Sequence, residues 1–362
     1  MVGCIYAPKN MGFKVNISKI HYNKQAKGLF FSILKFCSFF YAIGSRLKNS
    51  LYDKNILTPK KVDAFVISVG NLTTGGVGKT PVVAEIANYL TQKGEKVAIV
   101  SRGYGSGLSK EGWAFRPNTI NLISDGEKIF FDADMAGDEP VWLAKNTKAV
   151  VITCKNRYGG SKYAIEKFGV TKIILDDGFQ HRKLHRDLDI VLVDSEKAFG
   201  NEKLLPAGPL REGAQAFDRV DKIVIVSKNT EHTRAEKYAK IMNKKLSKET
   251  FVCYMEPDFV YNVFKPEERL SKGEKILAFS AIGQPQQFYN FLKDYDVLKT
   301  VDFDDHHNYT QADIDKLVGC INAPVSLITT EKDASKLLNF DFKGKKVFAL
   351  KLKTRLDVER LI

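Results

Sequence analysis

The chain has 362 residues, of which 44% are hydrophobic, 27% charged and 11% aromatic. This excludes a collagen-like, coiled-coil or wholly disordered chain and leaves room for two domains. Fifty-six Lys and Arg against 42 Asp and Glu give a net charge of +14, a surplus that suits an anionic partner: nucleic acid, a membrane surface or a phosphorylated substrate. Five scattered cysteines, Cys4, Cys37, Cys154, Cys253 and Cys320, with no CxxC, exclude a disulfide framework and a zinc site and point to a reducing, cytosolic compartment.

The charge is uneven. Residues 1–60 carry nine Lys and Arg46 against one acid, Asp53, a surplus of nine. Within them, 1–28 read as a basic extension and 29–60 as a helical segment. Residues 29–43, LFFSILKFCSFFYAI, place Phe30, Ile33, Leu34, Cys37, Phe40 and Tyr41 on one broad helical face, with Ser32, Lys35 and Ser38 opposite. Fifteen residues with an internal lysine are too few for a membrane span of ~20, and the stretch starts too late for a signal peptide. An interfacial membrane helix, favoured by the flanking Lys24, Lys27, Arg46 and Lys48, and a core helix both stay open.

From residue 62 onward the pattern is α/β. Apolar runs at Ala64–Val69, Val97–Ser101, Ala149–Thr153, Lys172–Leu175, Ile190–Val193 and Lys222–Val226 lack clean alternation, as parallel strands covered on both faces do. Helical patterns at Pro81–Lys93, Glu139–Lys145 and Tyr163–Phe168 fall between them. A polar helix near 234–246 follows, then strands near 250–256 and 259–264. A second α/β unit holds Ile276–Ser280, a helix Gln284–Leu292, a helix Thr310–Val318 and Val325–Thr329. The expected fold is a P-loop-containing parallel sheet with crossover helices, a second, smaller α/β domain and an N-terminal amphipathic helix, divided as 1–28, 29–60, 61–250 and 251–362.

Residues 66–80, VISVGNLTTGGVGKT, run from an apolar strand through a glycine-rich turn into Gly78-Lys79-Thr80 and a helix opening with Pro81. Gly75, Gly76 and Gly78 let the backbone turn its N–H groups onto a phosphate, and the helix N-terminus adds partial positive charge. Lys79 would reach the β/γ-phosphates and Thr80 would ligate Mg²⁺. Thr73 stands where the general GxxxxGK[ST] pattern has its first glycine.

Such a loop needs a carboxylate at the end of a neighbouring strand. Asp176-Asp177 after Lys172–Leu175 supplies a pair that a cation would neutralise; Asp194 after Ile190–Val193 is a weaker candidate. Asp138, in A-G-D-E-P, reads from its position as an N-cap. In His306-His307, adjacent side chains of an extended segment point opposite ways, so one could enter a cleft. H-R-D-L at 185–188 lacks the rest of a kinase catalytic loop, and G-Y-G-S-G at 103–107 is no dinucleotide fingerprint.

Taken in order, G-N-L-T-T-G-G-V-G-K-T-P (70–81), S-R-G-Y-G (101–105), G-D-E-P (137–140), D-D-G-F-Q-H (176–181), L-P-A-G-P-L-R-E (205–212) and D-H-H-x-Y (305–309) resemble the tetraacyldisaccharide 4′-kinases, the lipid A kinases of Gram-negative bacteria. Thr73 belongs to that family's own variant of the loop. The resemblance covers about residue 30 to at least 335. It implies transfer of the ATP γ-phosphate to the 4′-hydroxyl of a tetraacyldisaccharide 1-phosphate, with Mg²⁺, at the cytoplasmic face of the inner membrane, the protein being peripheral or monotopic there.

The same resemblance assigns the nucleotide site to Thr73, Thr74, Gly75, Gly76, Val77, Gly78, Lys79, Thr80, Gln180 and His181, and the metal to Thr80, Asp176 and Asp177. It makes Asp138 the catalytic base paired with His306, and places Arg157, Arg211 and Glu212 with Lys79 near the reacting groups. A lipid substrate turns residues 29–60 toward an anionic membrane surface. No protein partner is implied. A partition-type ATPase is disfavoured by Thr74, where its signature loop has Lys. A nucleic-acid binder is disfavoured because no recognition motif accompanies the charge.

Overall fold

The computed structural model describes residues 20–103, 119–228, 232–283, 285–304, 307–320 and 325–362. They form two compact units, a larger one of residues up to 227 with 232–253 and 356–362, and a smaller one of residues 254–355. Most of the basic extension, residues 1–19, lies outside the described residues, as do Tyr104 and Gly105 of the S-R-G-Y-G motif and His306.

The larger unit begins with α1 (Leu29–Asp53), a 25-residue helix that runs ten residues beyond the apolar stretch expected to form it. Polar contacts stabilise the extra turns: Lys48 donates to the Gln180 carbonyl, Asn49 to Glu212, and Asp53 pairs with Arg182. The helix meets the rest of the unit along a narrow stripe of Phe31, Leu34, Ser38, Ala42, Ser45, Asn49 and Tyr52. Ser38, on the side expected to be polar, donates to the Leu204 carbonyl and accepts from the Ala207 N–H. The broad apolar face is left exposed, with Leu29 at 81%, Phe36 at 65% and Phe39 at 61%.

The sheet of this unit contains β1 (Phe65–Asn71), β2 (Val97–Ser101), β3 (Ile120–Ser124), β4 (Val150–Cys154), β5 (Lys172–Asp176), β6 (Leu188–Asp194) and β7 (Lys222–Ser227) in the order 7-6-1-5-2-4-3. All its neighbours are parallel except β3, which pairs antiparallel with β4. α2 (Lys79–Gln92), α3 (Asp138–Asn146) and α4 (Arg157–Phe168) provide the crossovers, and α5 (Thr233–Leu246) follows β7. The parallel strands are buried on both faces, which explains the unbroken Val/Ile runs. β3 escaped the sequence reading because it is a short edge strand with only its last two residues buried.

β5 and β6 flank β1, so the eleven residues 177–187 must cross β1 without a helix, where a crossover usually has one. That link lies directly on the strand: a Cβ built on Gly70 would sit 2.6 Å from Cβ and 2.9 Å from N of Phe179. Only glycine permits this approach.

The chain passes into the smaller unit within β8 (Glu249–Asn262), one strand where two were expected. The register shifts opposite Pro257, between Leu350 and Leu352, and the ladder continues. β9 (Lys275–Ser280), β10 (Asp296–Asp302), β11 (Ser326–Thr330) and β12 (Val347–Arg355) give the order 10-9-11-12-8, with β8 antiparallel to β12. α6 (Pro285–Asn290) and α7 (Gln311–Gly319) flank it. Alternate residues feed opposite cores: Leu277, Phe279, Leu327 and Val347 on one face, Ile276, Ala278, Ile328 and Phe348 on the other. β10 was missed because every second residue of this edge strand is exposed. Residues 356–362, taken in sequence with the smaller domain, pack in the larger unit.

Gly70→Ala forces either β1 or the 177–187 link to move. We expect a loss of about 1–3 kcal/mol in unfolding free energy, measured by urea denaturation of the full chain, together with weaker ATP binding.

Candidate active site

β1 delivers the chain into the loop 72–78. Gly75 and Gly78 adopt φ of 105° and 97°, conformations that favour glycine, and Gly78 caps α2, whose first residues are Lys79 and Thr80. Thr73 is not among the residues at positive φ. It is buried and forms an antiparallel bridge with Leu210. This extended conformation needs no glycine, which accounts for the departure from the general loop pattern. Residues 209–211 run beside the loop: Thr74 N–H donates to the Pro209 carbonyl at 2.8 Å, and Arg211 N–H to that of Leu72 at 2.7 Å.

Asn71, which the sequence reading did not single out, organises the base of the loop. Its Nδ2 donates to the Thr73 carbonyl at 2.6 Å, its Oδ1 accepts from Lys79 Nζ at 3.1 Å, and its carbonyl accepts from Gln180 Nε2 at 3.0 Å. Lys79 Nζ also lies 3.4 Å from Asp177 Oδ1.

Asp176 ends β5 in register with Val69. It is buried, and its Oδ1 has no hydrogen-bond partner. Burial foremost, then the negative charge of Glu139, pushes its carboxyl up to about 7, against the pull of Lys79. Asp177 behaves oppositely. Burial would raise it too, but Lys79 and Arg211 hold it below the usual carboxylate range. Arg211 NH1 contacts both Asp177 oxygens, at 2.9 and 2.8 Å, and Gln180 Oε1 at 3.2 Å.

Arg157 opens α4 and is buried, with Nε unpartnered. Burial lowers its pKa, and the charges of Asp177 and Asp176 oppose the shift. His181 is pushed down to about 3 by burial, with Arg157 and Lys48 adding to it, so it is neutral at physiological pH and offers an acceptor nitrogen. Glu212 is buried and accepts at Oε2 from Asn49 at 2.7 Å and Arg219 at 2.9 Å. It clasps α1 to the 212–219 segment.

Asp138 is the first residue of α3. The N-cap is Gly137, at φ 92°, with no side-chain cap bond, so the expectation that Asp138 caps the helix is corrected. Its neighbour Glu139 is a principal charge acting on Asp176, which ties this helix start to the phosphate-loop corner.

Lys79, Asp177, Arg211 and Gln180 thus form one contact network, with Arg157 and Asp176 coupled to it by charge. Lys48, Asn49 and Glu139 complete the surroundings. Asn49 carried no sequence signal and Lys48 was read as a basic flank of the helix, since both reach the site from more than 130 residues away along the chain. In the smaller unit, His307 Nε2 lies 3.1 Å from Asp313 Oδ2, its ring is stacked on Phe303 at 4.9 Å, and it meets Tyr309 edge-on. Among the described residues, no cluster of three or more His, Cys, Asp or Glu could hold a metal by itself.

A parallel sheet, a glycine loop running into Lys79-Thr80 at a helix start, and acids ending the adjacent strand define a P-loop phosphotransferase. The comparisons agree. The profile of the tetraacyldisaccharide-1-P 4′-kinase family, LpxK, matches residues 30–362, and the chain belongs to that family. It is 36% identical over 319 residues to a tetraacyldisaccharide 4′-kinase of Halothermothrix orenii, covering 82% of this chain and 80% of that one. It is also 36% identical over 326 residues to one of Desulfotalea psychrophila, covering 87% and 90%. The crystal structure of LpxK from Aquifex aeolicus in complex with ATP superposes with a TM-score of 0.71 at 32% identity, covering 92% of this chain and 96% of that one.

A carboxyl raised from 3.8 to about 7 on folding adds no penalty below pH 4, a growing one from there to about pH 7 and a constant one above. The ligand-free Asp176→Asn variant should therefore be more stable than wild type at pH 8, by roughly 2–4 kcal/mol, and lose that advantage near pH 4. Paired denaturation curves at the two pH values measure it.

Proposed function

We infer that this protein is a kinase that transfers the γ-phosphoryl group of ATP to the 4′-hydroxyl of a tetraacyldisaccharide 1-phosphate, a step of lipid A biosynthesis. The observation that carries the reading is Lys79 at the start of α2, in a chain whose family match extends over residues 30–362.

Phosphoryl transfer needs positioning and charge neutralisation more than covalent chemistry. The loop N–H groups of Thr73 to Thr80 would cradle the phosphates, and Lys79 would leave Asn71 for the β/γ-phosphates. Arg157 and Arg211 would add positive charge beside the transferring group. Gln180 and His181 line the nucleotide side, and Glu212 acts by holding α1 and Arg219 in place. The corner also suits a divalent cation: the buried, unpartnered Oδ1 of Asp176 offers a hard oxygen donor within a negative field. Thr80 and Asp176 would hold Mg²⁺, with Asp177 next to them although gripped by Lys79 and Arg211. When bound, the cation supplies charge neutralisation on the phosphates.

Asp138 would accept the proton of the sugar hydroxyl, and His306 would raise its basicity. The commitment of the His307 ring to Asp313 and Phe303 supports His306 rather than His307 as the functional histidine. Asp138→Ala and His306→Ala should each lower kcat at least 100-fold and change KM for ATP far less. His307→Ala should mainly lower Tm. The assay is labelled ATP, Mg²⁺ and tetraacyldisaccharide 1-phosphate, followed to the bisphosphorylated lipid. Wild-type turnover in the first two variants would remove their assignment.

The acyl chains of the substrate stay in a bilayer, so the site must work at its surface. α1 is long and apolar enough by composition to cross a membrane, and of its most apolar stretch only Phe31 is buried. Its polar bonds to residues 180–212 favour instead an interfacial position at the cytoplasmic face of the inner membrane, with basic flanks meeting anionic lipid. Phe36→Ser with Phe39→Ser, both exposed, should leave Tm within 2 °C and weaken binding to anionic vesicles tenfold or more, read by sedimentation.

A further inference from the structure

Residues 20–22 precede the part of the chain that matches the family, yet they are bound into the nucleotide site. Asn201 fixes them at two points: its N–H donates to the His21 carbonyl at 2.9 Å, and its Nδ2 to that of Ile20 at 3.1 Å. The same Nδ2 donates to Ala207 O at 2.9 Å. The buried His21 ring meets the Pro206 carbonyl through Nε2 at 3.0 Å. Gly200 makes room: a Cβ there would lie 2.6 Å from the His21 carbonyl oxygen. The segment is therefore seated on the 200–209 stretch that itself braces the phosphate loop.

From this seat Tyr22 reaches the loop. Its hydroxyl donates to the Thr74 carbonyl at 3.1 Å, and Lys197 Nζ sits 4.7 Å over its ring. Thr74 is then held on both sides, its N–H by Pro209 and its carbonyl by Tyr22. A trans peptide points the carbonyl of one residue and the N–H of the next in opposite directions. Fixing Thr74 C=O toward Tyr22 thus turns the Gly75 N–H away from Tyr22. Gly75 is a residue for which the reversed peptide orientation is cheap, because glycine adopts either sign of φ. The loop glycines give the freedom to wrap a phosphate, and Tyr22 removes one unwanted use of it.

We propose that residues 20–22 form a strap in which Tyr22 is a positioning residue that pre-orients the Thr74–Gly75 peptide for the ATP phosphates. The proposal rests on the kinase reading for its ligand. Without the hydroxyl, ATP must select the correct peptide orientation on binding, and apparent affinity falls by the competent fraction.

The test compares wild type, Tyr22→Phe and, as a control beside the same segment, Gln25→Ala, whose side chain is exposed. Calorimetric binding of ATP and steady-state kinetics are measured on the full chain. The strap predicts a three- to tenfold rise in Kd and KM for ATP in Tyr22→Phe. kcat should stay within twofold, KM for the lipid and Tm should be unchanged, and Gln25→Ala should equal wild type. Unaltered ATP affinity in Tyr22→Phe overturns the proposal, whether or not Tm falls, because a lowered Tm alone describes a brace of the fold. Wild type that binds ATP but does not phosphorylate the lipid refutes the substrate reading and leaves the strap to be judged on Kd. Wild type that binds no ATP refutes both.

Discussion

Two carboxylates end the strand beside the phosphate loop, and the site depends on their being kept unequal. Asp177 lies at φ 55° with Lys79 and Arg211 against its oxygens, so it stays ionised despite partial burial. Asp176, one residue earlier, is pushed up to about 7. Adjacent acids in a shared dry corner cannot both ionise cheaply, and here cations gather on one of them. The ionised Asp177 then holds Lys79 at the helix start and ties the loop to the 204–212 segment. Asp176 keeps an unpartnered oxygen at the corner where phosphates and a cation would neutralise one another.

The same economy governs α1. A helix with this many exposed phenylalanines would normally turn them toward a protein core. Here the stripe facing the unit is narrow and largely small or polar, and Ser38, Tyr41, Lys48 and Asn49 each bond a residue of the 180–212 region. The helix is positioned by hydrogen bonds, which have direction, and the apolar face is left over. An exposed apolar surface of this kind marks an interaction site in a stable protein. Under the proposed function a bilayer would occupy that site, beside Gln180 and Glu212, which α1 bonds directly.

The sequence was legible wherever one local rule decided the structure. The parallel strands of the larger unit announced themselves by unbroken Val and Ile runs, and the loop by its order of strand, glycines, Lys79-Thr80 and Pro81. Edge strands did not: β3 and β10 have half-exposed residues and so no distinctive apolar pattern. The single strand β8 was read as two because sequence cannot show the register shift in the partner strand that carries the ladder past Pro257. Asp138 was read as a cap because the unusual backbone of Gly137, which displaces it to the first helical position, leaves no trace in residue type. The outer ring of the site was silent altogether. As site residues, Lys48 (read as a basic flank of the helix), Asn49 and Tyr22 are ordinary until folding brings them to partners 132, 163 and 52 positions away.

Thr73 shows how a departure from a motif can carry structural information. The general loop pattern has glycine there because the backbone of many such loops takes a conformation that favours it. In this chain residue 73 is extended, bridged to Leu210, and followed at once by a bond from Thr74 to Pro209. The loop is therefore held from outside, by the 205–212 segment, where a free-standing loop must hold itself through its own turn. A loop braced in this way can give up one glycine and still keep Gly75 and Gly78 in the left-handed region. The motif at 70–81 and the one at 205–212 are then two halves of a single structural device, and their joint presence is more specific to this family than either alone.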